Sequence, residues 1–284
     1  MGTNSTNVEI GINTFGLNDL LYENYDETVK QLGEIGYKVI EPLVLFPQLM
    51  GADDASIEAR MHMAKKDGGM WPARIAKERI ASLRSQGFNV YGIHLALVKM
   101  CPDGLNKVLS LAKNFAVEND IKYIIHSPQK ETLEEIATDI DGFKNGIKLL
   151  SDAGIQLIFH CHFNEFEKCG DTTIFEHILQ EVPELKVELD VGWVMYAKED
   201  VIEIMKKYRD RISIIHFKDI NLANCGETVD FTAIGAGDLP LKEIMDEAKN
   251  INLEYNQYIV DQDASSGDMM ADLKVGYDNI MSYL

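Results

Sequence analysis

The chain alternates short apolar runs with longer amphipathic segments from residue 8 onward. The first apolar run, 8–12, leads to a segment of helical periodicity, 25–35, that ends at Gly36. The same order of strand and helix recurs eight times. Eight such units in about 250 residues predict parallel strands with crossover helices, an α/β fold of the (β/α)8 TIM barrel type. We expect the later strands at 38–41, 89–93, 122–125, 154–159, 185–189, 212–215 and 254–260, and the later helices at 72–86, 105–118, 133–152, 172–181, 199–208, 239–249 and from 269 onward.

A doubly wound open sheet is the alternative fold. That fold usually carries a glycine-rich phosphate-binding turn after its first strand. Here residues 13–16 (Asn-Thr-Phe-Gly) lack that motif, so we favour the barrel. We expect one domain, 1–284, with an insertion, 48–72, after the second strand. The insertion is rich in methionine and holds a hinge-like glycine pair, 68–69, so we expect either an irregular loop that covers a site or a partner, or a peripheral helical segment.

The charge of the chain limits the partners it can have. It contains 27 Lys and Arg against 46 Asp and Glu, a formal net charge of -19, while 46% of its residues are hydrophobic. Nucleic acid and anionic membrane surfaces both require a basic face. We therefore expect a globular protein that binds a small molecule and neither of those partners.

Cysteine usage and the N-terminus point to a cytoplasmic protein. The spacing of Cys101, Cys161, Cys169 and Cys225 matches neither a zinc knuckle nor a disulfide framework, so we expect free thiols. The polar N-terminus does not have the pattern of a signal peptide. No apolar run approaches the ~20 residues that cross a bilayer.

Polar residues follow the predicted strands at the points where the strands end. In a TIM barrel these carboxyl ends meet at one face, which carries the active site. Imidazole and carboxylate together favour a divalent transition metal over calcium. The candidates are the histidines His94, His126, His160, His162 and His216, with the acids Glu165, Asp190 and Asp261.

The alternation of side chains along a strand separates the roles of these residues. His160 and His162 face the same side, so one could bind metal while the other acts as an acid or base. Asp190, His216 and Asp261 end the three strands that follow. Four adjacent strands could therefore each supply one metal ligand, with either His160 or His162 from the first of them. The side chain of Lys218 points in the same direction as that of His216, two residues earlier, so Lys218 is a candidate for contact with a substrate oxygen.

Four motifs hold these residues in order, and a glycine-rich turn follows the third. They are His160-Cys-His162-Phe-Asn-Glu165-Phe, Leu189-Asp190-Val-Gly-Trp193, Ile215-His216-Phe-Lys218-Asp219 and Val260-Asp261-Gln-Asp263, and the turn is Ile234-Gly-Ala-Gly-Asp238-Leu-Pro240. Together they resemble the xylose-isomerase-like superfamily of sugar isomerases and epimerases, which includes inosose dehydratases, ketose 3-epimerases and hydroxypyruvate isomerases. The resemblance extends over essentially the whole chain.

The resemblance implies a manganese or similar ion held by Glu, Asp, His or Gln, and Glu from strands five to eight. Asp190 and His216 match that set, while His160 and Asp261 stand where the glutamates would be, so the resemblance implies His160, Asp190, His216 and Asp261 as the metal ligands. Trp193 stands where ketose epimerases often carry a substrate-binding histidine. Epimerases of this type move protons between two metal-bound glutamates, so the two replacements bear directly on the reaction.

The leading expectation is a metal-dependent isomerase or epimerase of a sugar, keto-sugar or inositol derivative. His162 or Asp261 would remove a proton next to a carbonyl to give an enediolate, which the metal stabilises. Glu165 and Lys218 would orient or protonate the substrate. Manganese is the first candidate metal, and cobalt, zinc, iron and magnesium are alternatives. The expected substrate-binding residues are Glu41, His94, His126 and Trp193.

Other functions stay open from the sequence. A lyase or dehydratase would use the same site, because β-elimination shares the enediolate. A metal-dependent phosphodiesterase related to endonucleases would need basic loops for DNA, against which the net charge argues. A barrel that serves as a sensor or subunit without catalysis is a third class, and a homo-oligomer is compatible with all of them.

Overall fold

The computed structural model describes residues 8–47, 54–98 and 104–284. Its helices agree closely with the amphipathic segments, and two short helices, Asn18–Glu23 and Val191–Tyr196, come in addition to the predicted ones. The strands are β1 Glu9–Asn13, β2 Val39–Glu41, β3 Leu43–Leu45, β4 Met70–Pro72, β5 Gly92–Leu95, β6 Tyr123–His126, β7 Gln156–His160, β8 Lys168–Cys169, β9 Thr172–Thr173, β10 Lys186–Asp190, β11 Ile212–Phe217, β12 Asp219–Ile220, β13 Phe231–Thr232 and β14 Gln257–Val260. The helices are α1 Asn18–Glu23, α2 Tyr25–Ile35, α3 Asp54–Met63, α4 Ala73–Ser85, α5 Gly104–Glu118, α6 Leu133–Ser151, α7 Ile174–Glu181, α8 Val191–Tyr196, α9 Val201–Lys207, α10 Leu241–Ala248 and α11 Met269–Met281.

One parallel sheet forms the barrel, in the order β2-β1-β14-β11-β10-β7-β6-β5-β3-β4. A bridge between Val39 and Asn89 closes it. β2 and β3 together occupy one strand position of the barrel, interrupted at Pro42. β3 pairs with β5, and the His94 N–H of β5 donates to the Pro42 carbonyl at 2.9 Å. The predicted TIM barrel is therefore confirmed, and β4 is an extra strand that pairs with β3 at the end of the sheet.

Alternate side chains of the barrel strands point inward and outward. Those of the inner core form a small apolar cluster of their own, and those of the opposite phase pack against the helices. This phase decides which polar residues at the strand ends reach the barrel mouth. The inner cluster contains Val39, Tyr123, Ile125, Ile158, Ile214 and Ile259.

The predicted insertion is ordered where the structure describes it. It forms α3 and β4, so it is partly helical, and Met70 of β4 packs beside Leu43 of the barrel. The glycine pair is packed rather than hinge-like: the Gly69 carbonyl accepts from the Thr14 hydroxyl at 2.7 Å, and a side chain on Gly68 would collide with the Asn18 carbonyl. Residues 48–53 of the insertion lie outside the description.

Two other expectations can be compared with the structure. Three of the four cysteines, Cys161, Cys169 and Cys225, are free thiols, as expected, and Cys101 lies outside the described residues. None of the described helices combines the length and apolar character that crossing a bilayer requires.

Candidate functional site

The ends of four neighbouring strands bring imidazole and carboxylate groups together at the barrel mouth. One potential ligand atom from each residue lies within 4.8 Å of the others. All four side chains are buried. The predicted ligand set thus forms a compact group in the structure, although its binding of metal stays a prediction. Its members are His160, Asp190, His216 and Asp261.

Glu188 is the central acid that sequence reasoning missed. It precedes Asp190 by two residues on β10, so it has the same inward phase. Its carboxylate is fully buried and lies 2.8 Å from His160 Nδ1, 2.8 Å from His94 Nε2 and 3.1 Å from His216 Nε2. Burial opposes the charge of Glu188, but His216 and His94 outweigh it and hold the pKa well below its usual value.

Both imidazoles of the predicted metal set are held by carboxylates. His216 Nε2 lies 2.8 Å from Glu41 Oε1, and its Nδ1 lies 3.3 Å from Asp261 Oδ2. Metal-binding histidines usually bind an outer carboxylate through the second ring nitrogen, which fixes the ring. Glu188 can do this for His160, and Glu41 for His216. Burial also lowers the pKa of His160 to about 4, so that ring is neutral.

Four buried polar atoms of the cluster show whether its residues fit a metal ion. His94 Nε2, Glu188 Oε1, Asp190 Oδ2 and Asp261 Oδ1 accept or donate no hydrogen bond. His94 Nε2 is close to two carboxylates, but not in hydrogen-bonding geometry. Buried polar atoms without partners are rare. Since carboxylate oxygens from β10 and β14 are among them, a divalent ion between these strands suits the donor set.

His94 neutralises the deep carboxylates. Its Nε2 lies 3.0 Å from Glu41 Oε1 and 2.8 Å from Glu188 Oε2. Burial opposes protonation, but the charges of Glu188 and Glu41 raise the pKa of His94 to about 9. Glu41 also accepts hydrogen bonds from Asn13 at 3.3 Å and Tyr123 at 3.4 Å. Of these two predicted substrate-binding residues, His94 lines the cavity and Glu41 lies beneath it.

Lys218 supplies a second buried cation beside the cluster. Its Nζ lies 2.8 Å from Asp263 Oδ2, 3.0 Å from Asp261 Oδ2 and 3.9 Å from Asp190 Oδ2. Burial opposes its charge, but Asp261 and Asp263 raise the pKa of Lys218 above its ordinary value. Lys218 therefore stays protonated. Gly192 permits this packing, because a Cβ there would lie 2.4 Å from the Lys218 carbonyl oxygen.

His162 is a candidate for the general base, and its neighbours keep the ring neutral. Its Nδ1 lies 2.8 Å from Ser127 Oγ, which also lies 3.3 Å from the His160 carbonyl. If the serine donates to that carbonyl, Nδ1–H of His162 donates to the serine. Gln129 Nε2 lies 3.2 Å from His162 Nε2 and donates to it, which leaves this nitrogen an acceptor. Burial, with His160 and Lys218, lowers the pKa of His162 well below its usual value.

Of the predicted site residues, His94, His160, His162 and Asp261 line the cavity, and three others, Glu165, His126 and Trp193, lie outside both the cavity wall and the ligand cluster. The carboxylate of Glu165 accepts from the N–H groups of His162 (2.7 Å) and Lys130 (3.2 Å), so it joins two loops instead of facing a substrate. His126 has the outward phase and pairs with Asp139 of α6 at 2.8 Å. Trp193 packs beside the His162 ring at 5.8 Å.

A cavity of about 310 Å³ opens above the cluster. Such a volume lies at the lower end of the range for small-molecule sites, ~300–1,000 Å³. Burial raises the pKa of Asp263 on its wall to about 6. The cavity joins the metal candidates to His162. Its polar lining is Asn13, His94, Ser127, Gln129, His160, His162, Asp261 and Asp263, and its apolar lining is Phe15, Leu43, Met70, Leu95, Ala96, Leu97, Val98 and Pro128.

Comparison with known proteins agrees with this architecture. The model of the family described as xylose isomerase-like TIM barrel matches residues 29–266. The chain belongs to this family. The superfamily resemblance of the motifs is thereby confirmed, together with the predicted fold.

Curated relatives of this xylose isomerase-like barrel are inosose dehydratases. That of Geobacillus kaustophilus is 21% identical over 272 residues, which cover 86% of this chain and 81% of the relative. That of Clostridium perfringens is 26% identical over 146 residues, 45% of this chain. The chain spans 46% of the length of this second relative.

Solved structures share the whole fold. A sugar phosphate isomerase/epimerase from Parabacteroides distasonis has a TM-score of 0.73 at 18% identity, with 98% of this chain and 97% of that one covered. An IOLI protein with a bound zinc atom has a TM-score of 0.62 at 13% identity, with 97% and 95% covered. At such identities the likeness concerns the fold alone.

Proposed function

We propose that this protein is a divalent-metal-dependent lyase that eliminates water or an alcohol from a keto-sugar or inosose. The observation that carries the proposal is the placement of His162. His162 lines the cavity, and its Nε2 is a hydrogen-bond acceptor that Gln129, another cavity residue, contacts beside a compact group of metal-ligand candidates. A base next to a cation is the arrangement that proton abstraction beside a carbonyl requires.

The residues that would hold the ion are His160, Asp190, His216 and Asp261. When bound, a divalent ion polarises a carbonyl oxygen and stabilises an adjacent enediolate. Glu188 and Glu41 fix the two imidazoles through their other nitrogens. Manganese, zinc and the other expected divalent metals all suit such mixed nitrogen and oxygen ligands.

His162 takes the proton from the carbon next to the carbonyl. The electrons of that C–H bond form the enediolate and then the new double bond, while the bond from the neighbouring carbon to the leaving oxygen breaks. Asp263 protonates the leaving oxygen. This acid is suited to the step because it lines the cavity and burial raises its pKa to about 6.

Two features support elimination over epimerisation. The two-glutamate proton relay implied by the superfamily resemblance is replaced here by His160 and Asp261. The curated relative that covers 86% of the chain is a dehydratase. An imidazole on one strand and a weakly acidic carboxyl on another supply one base and one acid, which is what elimination needs.

Isomerisation or epimerisation is the second candidate, and Asp261 favours it. Burial opposes the charge of Asp261, but Lys218 and His216 hold its pKa well below the usual value, so it is an anionic acceptor on the cavity wall. Together with His162 it could move a proton between two faces of an enediolate.

Incubation of the manganese-loaded protein with an inosose and with 3-keto-glucosides in D₂O tests the proposal. We expect NMR to show loss of the proton next to the carbonyl together with a new vinyl signal and release of water or alcohol. Deuterium uptake without elimination would favour the second candidate. No exchange in any substrate, or equal exchange by a His162→Gln variant, would contradict both.

A further inference from the structure

The apolar residues on the cavity wall form one continuous patch. Leu43, Met70 and Leu97 are half-buried and pack with Ala96 in a single cluster. All four line the cavity. The insertion therefore has a place at the site, since it supplies Met70 and the helix behind the patch. The patch rests on Leu45, Ile57 and Met61.

The two arcs of the barrel give this cavity two different walls. The apolar patch comes from β3, β4 and the loop after β5, which are neighbours in the sheet. Four of the five charged or imidazole-bearing wall residues come from the ends of β7 and β14, on the arc that also holds β10 and β11. The fifth, His94 of β5, lies beside the patch. A ligand in the cavity thus meets mostly hydrogen-bonding groups on one side and mostly aliphatic side chains on the other. The charged or imidazole-bearing wall residues of that second arc are His160, His162, Asp261 and Asp263.

Two residues of the cavity wall hold a left-handed backbone without being glycine. They are Leu97, with φ 57°, and Gln129, with φ 52°. This conformation is unfavourable for leucine and is maintained only where the surroundings impose it, which is common at ligand sites. Of the two residues with this conformation, Leu97 completes the apolar patch and Gln129 contacts His162. Both walls therefore carry a feature typical of binding.

We infer that the substrate carries an aryl or alkyl substituent, which the patch of Leu43, Met70, Ala96 and Leu97 binds. The inference rests on the proposed function for the position of the sugar ring, beside His162 and the metal candidates. An unsubstituted sugar would leave the patch against hydroxyl groups or water, whereas each buried methylene raises affinity about fourfold. The substrate class is then a keto-glycoside with an apolar leaving group or a similarly substituted polyol.

Calorimetric titration of the manganese-loaded protein tests this without turnover as the readout. The probes are phenyl and methyl β-D-3-ketoglucoside, with initial heats recorded before any conversion. We expect the phenyl compound to bind at least about tenfold more tightly, from the apolar area it buries. Met70→Ala and Leu97→Ala should each reduce that ratio by about threefold or more. Met63→Ala is the matched control, because Met63 is 77% exposed and does not line the cavity.

The outcomes separate this inference from the proposed function. Equal affinities, binding of neither glucoside, or a ratio that both cavity variants leave unchanged would overturn the inference. A phenyl preference that falls in both variants and persists in Met63→Ala supports it. If that preference holds while no substrate loses a proton in D₂O, the substrate inference stands and the proposed reaction is contradicted.

Discussion

His160 Nδ1 lies 2.8 Å from Oε2 of Glu188, on the neighbouring strand β10. This contact uses one nitrogen of the imidazole and leaves the other for a metal. The same carboxylate lies within 3.1 Å of His216 Nε2 and 2.8 Å of His94 Nε2. Glu188 is therefore the residue on which the orientation of the histidine cluster depends most.

Replacement of Glu188 by Gln should weaken metal binding. The amide keeps the shape of the side chain but removes the negative charge that faces three imidazoles, so the rings are held less firmly in their orientation. We expect the affinity for Mn²⁺ to fall about 10–100-fold, the usual effect of losing such an outer partner. Calorimetry with Mn²⁺ measures it, and Glu181→Gln on the surface of α7 is the control. An unchanged affinity in Glu188→Gln would contradict this role.

His162→Gln should abolish proton abstraction and spare metal binding. Loss of a general base typically costs about 10²–10⁴ in rate. The variant should therefore lose exchange of substrate protons with D₂O, while its Mn²⁺ affinity stays within about twofold of the wild type. His177→Gln on α7 controls for loss of a histidine elsewhere. A large drop in metal affinity would instead make His162 a ligand.

Asp190 should contribute stability to the metal-free protein that is lost as the pH rises. Burial raises the pKa of Asp190 to about 7 in the folded protein, above its ordinary 3.8. At this side chain the folded state thus holds a proton that the unfolded chain has released, so the contribution of Asp190 to stability falls between about pH 4 and 7 and then levels off. Scanning calorimetry of chelator-treated protein from pH 5 to 8 should show a steeper fall in Tm below pH 7 for the wild type than for Asp190→Asn. Parallel curves would exclude a raised pKa.

Gly192→Ala should destabilise the protein and disturb the site. The new Cβ would lie 2.4 Å from the Lys218 carbonyl oxygen and 2.7 Å from Lys218 Cβ, so α8 must move away from β11. We expect a loss of about 1–3 kcal/mol in the free energy of unfolding, as for other overpacked positions. Gly226→Ala is the matched control, since a Cβ there meets nothing within 4 Å. Equal stability of the two variants in urea titrations would show that the close approach is relieved without cost.

Much of the fold follows from periodicity in the sequence. Helix α2 begins and ends where the pattern predicts, at Tyr25 and Ile35, because an amphipathic face and Gly36 define it locally. The pairing of Met70 with Leu43 in β4 has no such local signal, since it depends on the insertion packing back on the barrel. Helix α8 was also missed, although Asp190 caps it by accepting from the Trp193 N–H.

Side-chain phase explains which site residues the sequence located. It correctly placed His160 on the inner face, and the same rule applied to β10 would have found Glu188 two residues before Asp190. His126 was expected at the cavity because it ends a strand. On β6, however, Tyr123 and Ile125 point inward, so His126 faces α6 and pairs with Asp139. Position at a strand end therefore does not by itself predict a site residue, because the side chain must also point into the barrel.

Anomalous diffraction from crystals of the manganese-loaded protein would locate the proposed ion. We propose that one divalent ion is held by the ends of four adjacent strands, with His162 beside it. The predicted result is a manganese peak bonded to His160, Asp190, His216 and Asp261. A peak bonded to His94 and Glu188 instead of the two aspartates, or no peak at the barrel mouth, would contradict it.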